Sequence, residues 1–129
     1  MARGMTREGT ANMVFDVEIV LRDRETAIEA RCVHDGNDAP GWTEVDVQEV
    51  LKSMLLAVDR AKNPGSDERF VTLRGFSWIV EPADGGVVIA IEIPTGAVVA
   101  GPFDIPQPRL DSLITRVLSA AAPTRPVIH

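Results

Sequence analysis

Residues 69–105 constrain the fold more than any other stretch of this chain. They read RFVTLRGFSWIVEP, ADGG, VVIAIEIP, TG and AVVAGPFDI. These are runs rich in β-branched and aromatic residues, divided by two turn signals. Asp84-Gly85-Gly86 supplies the positive φ angles a tight hairpin needs, and Thr95-Gly96 does the same after Pro94. The pattern predicts three strands in a meander, the first over 69–81, with Gly75 marking a bulge inside it. The stretch contains no histidine or cysteine. The segment that fixes the architecture therefore offers little for chemistry.

Upstream, residues 14–22 alternate: Phe15, Val17, Ile19 and Leu21 share one face, and Asp16, Glu18 and Arg22 the other. A period of two means a strand half buried in a sheet. Residues 26–33 alternate again after the polar break at 23–25, with Ile28, Ala30 and Cys32 opposite Glu29 and Arg31. The reading is a hairpin, with a helix over 24–33 as the rival because Glu, Ala and Arg are good helix formers. Residues 34–42, HDGNDAPGW, read as a loop.

A helix follows. Thr43 is its N-cap with Asp46 at N3, an acidic capping box, and Trp42 with Val47 supplies a hydrophobic staple. Val47, Val50, Leu51, Met54, Val58 and Ala61 then hold one face, and Leu55 and Leu56 widen it. Asn63-Pro64-Gly65 stops it near Lys62. A last helix begins after Pro106-Gln107-Pro108, with Leu110, Leu113, Ile114, Val117, Leu118 and Ala121 as its stripe.

The predicted order is β-β-α-β-β-β-α, an α+β fold with a five-stranded, mainly antiparallel sheet and two helices on one face. A flexible arm is expected over 1–12, one domain over 13–122 and a flexible tail over 123–129. The 129 residues, 45% apolar and 25% charged, suit a single domain whose core needs no staples. Two helices about 10 Å wide cover one side of a sheet about 24 Å across, and no more. The other side then carries Asp16, Glu18, Glu29 and Arg31 at one end. At the other end it carries Val88, Ala90 and Glu92, with Val98 or Val99 according to register.

Composition narrows function by exclusion. A net charge of −6 disfavours a nucleic-acid backbone or an anionic membrane as partner. Eleven acidic residues face six basic ones between 14 and 64, so most of the excess lies in the first half. The first thirteen residues hold no apolar run, and the longest nearly uncharged apolar stretch is Val87–Ile91. The expectation is a cytoplasmic protein without a leader or a membrane span. Cys32, a single cysteine, forms no internal disulfide and reads as a small inward-facing hydrophobe.

His34-Asp35-Gly36-Asn37-Asp38 is the richest polar cluster. His34, Asp35 and Asp38 are weak candidates for a divalent cation, but Pro40 stands where a calcium loop needs glycine. A hydrophilic connector is the better reading, and no metal or other cofactor is expected. His34 with Asp16, Glu18 or Asp35 would be the only acid–base set for a hydrolase or isomerase. The balance favours a surface histidine at a strand end. No serine sits in a nucleophile elbow, and Gly85-Gly86 precedes a strand rather than the helix a phosphate cradle requires. Glu44, Asp46 and Glu49 oppose a helix dipole, which is reason enough for their grouping.

The leading expectation is a small non-enzymatic interaction or regulatory module. It works as a homodimer, or on another protein, through an uncovered sheet face carrying Val88, Ala90 and Val98 or Val99. Trp78 is either an anchor of that interface or part of the core. The alternative is a metabolite- or lipid-binding domain with a pocket near Met54, Leu55 and Phe76. The order of elements resembles the roadblock and profilin-like layouts, which place helices beside a five-stranded sheet, without the first helix of the roadblock layout. That resemblance implies a dimeric adaptor.

Overall fold

Alternation along the chain becomes one antiparallel sheet. The computed structural model describes residues 11–65 and 71–121. Strands β1 (Ala11–Leu21) and β2 (Ile28–Gly36) form the first hairpin. Helix α1 (Glu44–Lys62) follows a single 3₁₀ turn at Ala39–Gly41. Strands β3 (Ser77–Ala83), β4 (Gly86–Ile93) and β5 (Gly96–Phe103) form the meander, and α2 (Gln107–Ala121) closes the order. The strands lie side by side as β2-β1-β5-β4-β3, every pair antiparallel.

Residues 26–33 resolve to strand rather than helix, because β1 offers a partner whose alternation matches: Phe15 lies opposite Cys32 and Val17 opposite Ala30. β1 starts at Ala11, inside the stretch expected as an arm, and the tail over 123–129 lies outside the described residues. The strand expected over 69–81 is shorter and later. It starts at Ser77, and Gly75, at φ +82°, stands in the approach to it rather than in a bulge. The irregularity falls elsewhere. Val87 pairs with Phe103 and Ile89 with Ala100, so β5 carries an extra residue against β4. That extra residue resets the parity of β5, and Ala100 and Phe103 both point into the core.

Both helices pack on one side. α1 contacts β1, β2, β5 and α2, and α2 contacts β3. From α1, Val47, Val50, Leu51, Met54, Ala57 and Val58 are buried; from α2, Leu110, Leu113, Ile114 and Val117. They meet Phe15, Val17, Ile19 and Leu21 of β1 and Val87, Ile89 and Ile91 of β4. Two side chains of α2 and its approach fix its position: Gln107 Nε2 donates to the Val80 carbonyl at 2.8 Å, and Arg109 Nη2 to the Trp42 carbonyl at 2.7 Å.

Gly86 shows where the turn chemistry is strict. At φ +147°, a Cβ there would run into the carbonyl of Phe103. Gly86→Ala is expected to cost about 2–3 kcal/mol, because backbone rather than a flexible side chain blocks it. Urea denaturation measures the loss; an unchanged midpoint would contradict this account of the turn.

Candidate functional site

The side of the sheet away from the helices is the candidate site. Register places its residues in rows across the strands. Glu18 lies beside Val99, Val99 beside Ala90, and Ala90 beside Ile79. One step along, Val20 neighbours Ala97, Ala97 neighbours Glu92, and Glu92 neighbours Ser77. On the other side of the first row, Val88 neighbours Glu81. The result is an aliphatic field of Ile79, Val88, Ala90, Ala97, Val99 and Val20 set among Glu18, Glu81 and Glu92. Ile79 is 51% exposed and Val20 48%, although both are large hydrophobes. A shallow depression of about 310 Å³ runs over Ile79, Ala90 and Ala97. The β1–β2 half of the face is mixed: Arg31 Nε lies on Asp16 Oδ1 at 3.2 Å, and next to them the opposed Val14 and Val33 are each 53% exposed.

Of the expected interface residues, Val88, Ala90 and Val99 lie together on this face. Val98 does not: it is 0% exposed and faces the core, which settles the register between Val98 and Val99. Trp78 pairs with Ile91, packs half-buried against the core, and borders the depression. Ile79, the most exposed member of the field, was not expected there. Its signal was present in the parity of Ser77-Trp78-Ile79-Val80, once the strand starts at Ser77 rather than at 69.

The expected pocket residues divide. Met54 is fully buried in the core. Leu55 and Phe76 line a cleft of about 190 Å³ with Val58 and Ile93.

His34 corrects the expectation of a surface histidine. It is 3% exposed, and its Nε2 donates to Asp46 Oδ1 at 2.9 Å. Its partner is neither Asp16, Glu18 nor Asp35. β2 continues through His34, so the imidazole points inward beneath the start of α1. There Asp46 gathers five hydrogen bonds. Oδ1 also accepts from the Asn37 amide at 3.2 Å. Oδ2 accepts from Asn37 Nδ2 at 2.9 Å, the Thr43 amide at 2.9 Å and Thr43 Oγ1 at 3.0 Å. Thr43 Oγ1 accepts in return from the Asp46 amide, completing the capping box. Burial by itself would raise the Asp46 carboxyl. The donors from Thr43, His34 and Asn37 outweigh it and hold the group well below the usual carboxylate range. A Cβ on Gly36 would collide with both Asp46 Oδ1 and His34 Nε2, so glycine is what lets the strand pass this close.

Both oxygens of the Asp46 carboxylate are engaged inside the protein, and the arrangement anchors the end of β2 to the cap of α1. Asp35 and Asp38 are exposed and stay outside it. Among the described residues, no group of three or more His, Cys, Asp or Glu side chains is placed to hold a metal ion. Burial raises the Cys32 thiol, partly opposed by Arg60, and Cys32 faces the α1 side of the sheet, packed against the core. No helix among the described residues is long and apolar enough to cross a membrane. Comparisons with protein-family models, curated proteins and solved structures find no match to this chain.

Proposed function

We propose that this chain is a small non-enzymatic interaction module that associates with a second copy of itself through the uncovered sheet face. The observation that carries the reading is Ile79, half exposed beside Ala90, Val88 and Val99 on the side that neither α1 nor α2 covers. An aliphatic field on one side of an antiparallel sheet is stabilised by excluding water from it, and a second sheet packs at about 10 Å to do so. Five strands spaced about 4.8 Å apart, each about 27 Å long, offer roughly 600 Å² per copy. Covering both faces buries on the order of 1,200 Å², the lower limit of stable interfaces. An interface at this lower limit suits a weak, reversible dimer.

The carboxylates of Glu18, Glu81 and Glu92 give this dimer a distinctive signature. Across a two-fold interface they meet like charges at the rim, so screening assists association. Sedimentation equilibrium is expected to show the mass rising from 14.0 kDa towards twice that value with concentration. The association is expected to be tighter in 1 M than in 0.1 M NaCl. Ile79→Lys is expected to remain monomeric with an unchanged circular-dichroism melt. A wild-type chain that stays monomeric at millimolar concentration in high salt would overturn the reading.

A further inference from the structure

We propose that the cleft at the end of the sheet, between Arg22, Arg24 and Lys62, is a binding site for a phosphate monoester. The cleft has a volume of about 350 Å³ and is walled by three separate elements. These are the β1–β2 turn, the β4–β5 turn and the last turn of α1. Thr95 ties them together. The Arg22 amide donates to the Thr95 carbonyl at 3.0 Å, Arg22 Nε donates to the neighbouring Pro94 carbonyl, and Lys62 Nζ reaches Thr95 Oγ1 at 3.4 Å. Arg22 and Lys62 are therefore brought to one place by contacts that do not neutralise them, and Arg24 joins them through the turn, its amide on the Leu21 carbonyl.

The charge at this cleft runs against the rest of the molecule. Three cations line it against one carboxylate, Asp23, on a chain of net charge −6. Among the described residues, the ion pairs lie elsewhere, at Arg31–Asp16, His34–Asp46 and Arg116–Glu44. Neither Arg22, Arg24 nor Lys62 pairs with a carboxylate among the described residues. The C-terminal end of α1 gives Lys62 a structural reason to be there. It gives none for Arg24, which comes from a turn, while Arg22 also braces the β4–β5 turn through the Pro94 carbonyl. Guanidinium forks match phosphate and carboxylate oxygens alike, but a local excess of two positive charges suits a dianion better than a monocarboxylate. A polyanion is disfavoured, since the rest of the surface would repel it. A second depression of about 540 Å³ adjoins the first through Arg22 and Pro94, and its wall includes Phe76. It provides room for the organic part of the ester, with an aromatic side chain to pack against.

The inference does not rest on the proposed dimer, although the second depression shares Ser77 and Glu92 with the outer sheet face. The test is calorimetric and NMR titration of the full chain with adenosine 5′-monophosphate, with glycerol 3-phosphate, and with vesicles containing phosphatidic acid; adenosine is the uncharged control. Saturable binding of a phosphate-bearing probe is expected, with amide shifts centred on Arg22, Arg24, Lys62 and Thr95. Arg24→Gln and Lys62→Gln, both at exposed positions, are each expected to weaken it by about tenfold. Arg60→Gln removes the same charge from the same helix outside the cleft and is expected to leave binding unchanged. Binding of the soluble esters makes the ligand a solute, and binding of the vesicles alone makes it a lipid headgroup. Either outcome supports the site if Arg24→Gln weakens it by about tenfold. Absence of saturable binding by every phosphate probe, or equal losses in Arg24→Gln, Lys62→Gln and Arg60→Gln, overturns it.

Discussion

Asp46→Ala is expected to destabilise the protein by about 3–5 kcal/mol, the cost of removing one partner from a buried charged cluster. The carboxylate accepts from His34, Asn37 and Thr43 through both of its oxygens. Alanine leaves the His34 donor unpaired where water does not reach it, and forces the exposed Asn37 and Thr43 to give up the cap for solvent. For a domain of this length, the melting temperature is expected to fall by on the order of 10–20 °C. Asp46→Asn keeps the shape but presents an amide NH₂ to donors, and is expected to recover only part of the loss.

The pH dependence carries a defined sign. The folded-state pKa of Asp46 is depressed below the ordinary value of about 3.9. Its contribution is therefore fully present above that value and disappears as pH falls below about 4 towards the folded-state pKa. The stability gap between wild type and Asp46→Asn is expected to narrow as pH falls below about 4. Denaturant melts of both proteins above and below that pH measure it. A gap that widens in acid would contradict the assignment of Asp46 as the ionised acceptor.

Trp42→Ala is expected to cost about 3–5 kcal/mol as well, through a different mechanism. Trp42 is 0% exposed and joins the core to the start of α1. Its ring lies 4.9 Å from that of Phe103, which meets Phe15 edge-on at 5.4 Å. On its other side stands His34, at 6.0 Å. Removing the indole leaves a cavity where these rings and α1 converge, and frees the Asn37 carbonyl that accepts from Nε1 at 2.9 Å. Trp42→Phe retains most of the volume and is expected to lose about 1–2 kcal/mol, mainly the hydrogen bond. Chemical denaturation followed by circular dichroism separates the two variants. Equal losses would show that the Nε1 hydrogen bond, not packing, dominates.

The part of this fold legible in the sequence is the part written in short periods. Phe15-Val17-Ile19-Leu21 and Val87-Ile89-Ile91 alternate without interruption, and their strands lie where expected. Thr43 and Asp46 announce the start of α1, and Asn63 its end. The corrections arise where the controlling interaction is not local. His34 looked solvated among Asp35, Asn37 and Asp38, because nothing in that neighbourhood shows the helix cap that folds over it. Asp46 was read as a capping residue, which it is; its second role as the acceptor for a strand residue depends on the bend through residues 37–42. The outer face was legible in β4, where Val88, Ala90 and Glu92 alternate. It was not legible in β3, because Arg69-to-Phe76 reads as strand composition while the backbone passes Gly75 at positive φ before pairing begins. The basic cleft leaves no local pattern for a similar reason, its members lying at 22, 24, 62 and 95 with no spacing to connect them.

The position of β1 has a consequence for how the chain matures during synthesis. Its second neighbour is β5, with Leu21 set against Gly96 and Val17 against Ala100. A ribosome-bound chain that has released only the first hairpin and α1 has no strand for that flank of β1, whose amides and carbonyls must stay hydrated until the C-terminal third emerges. Closing so large a loop is entropically slow, and it comes late. The nascent protein thus passes through a stage with a long, unblocked strand flank, the period in which it is most exposed to mispairing with neighbouring chains.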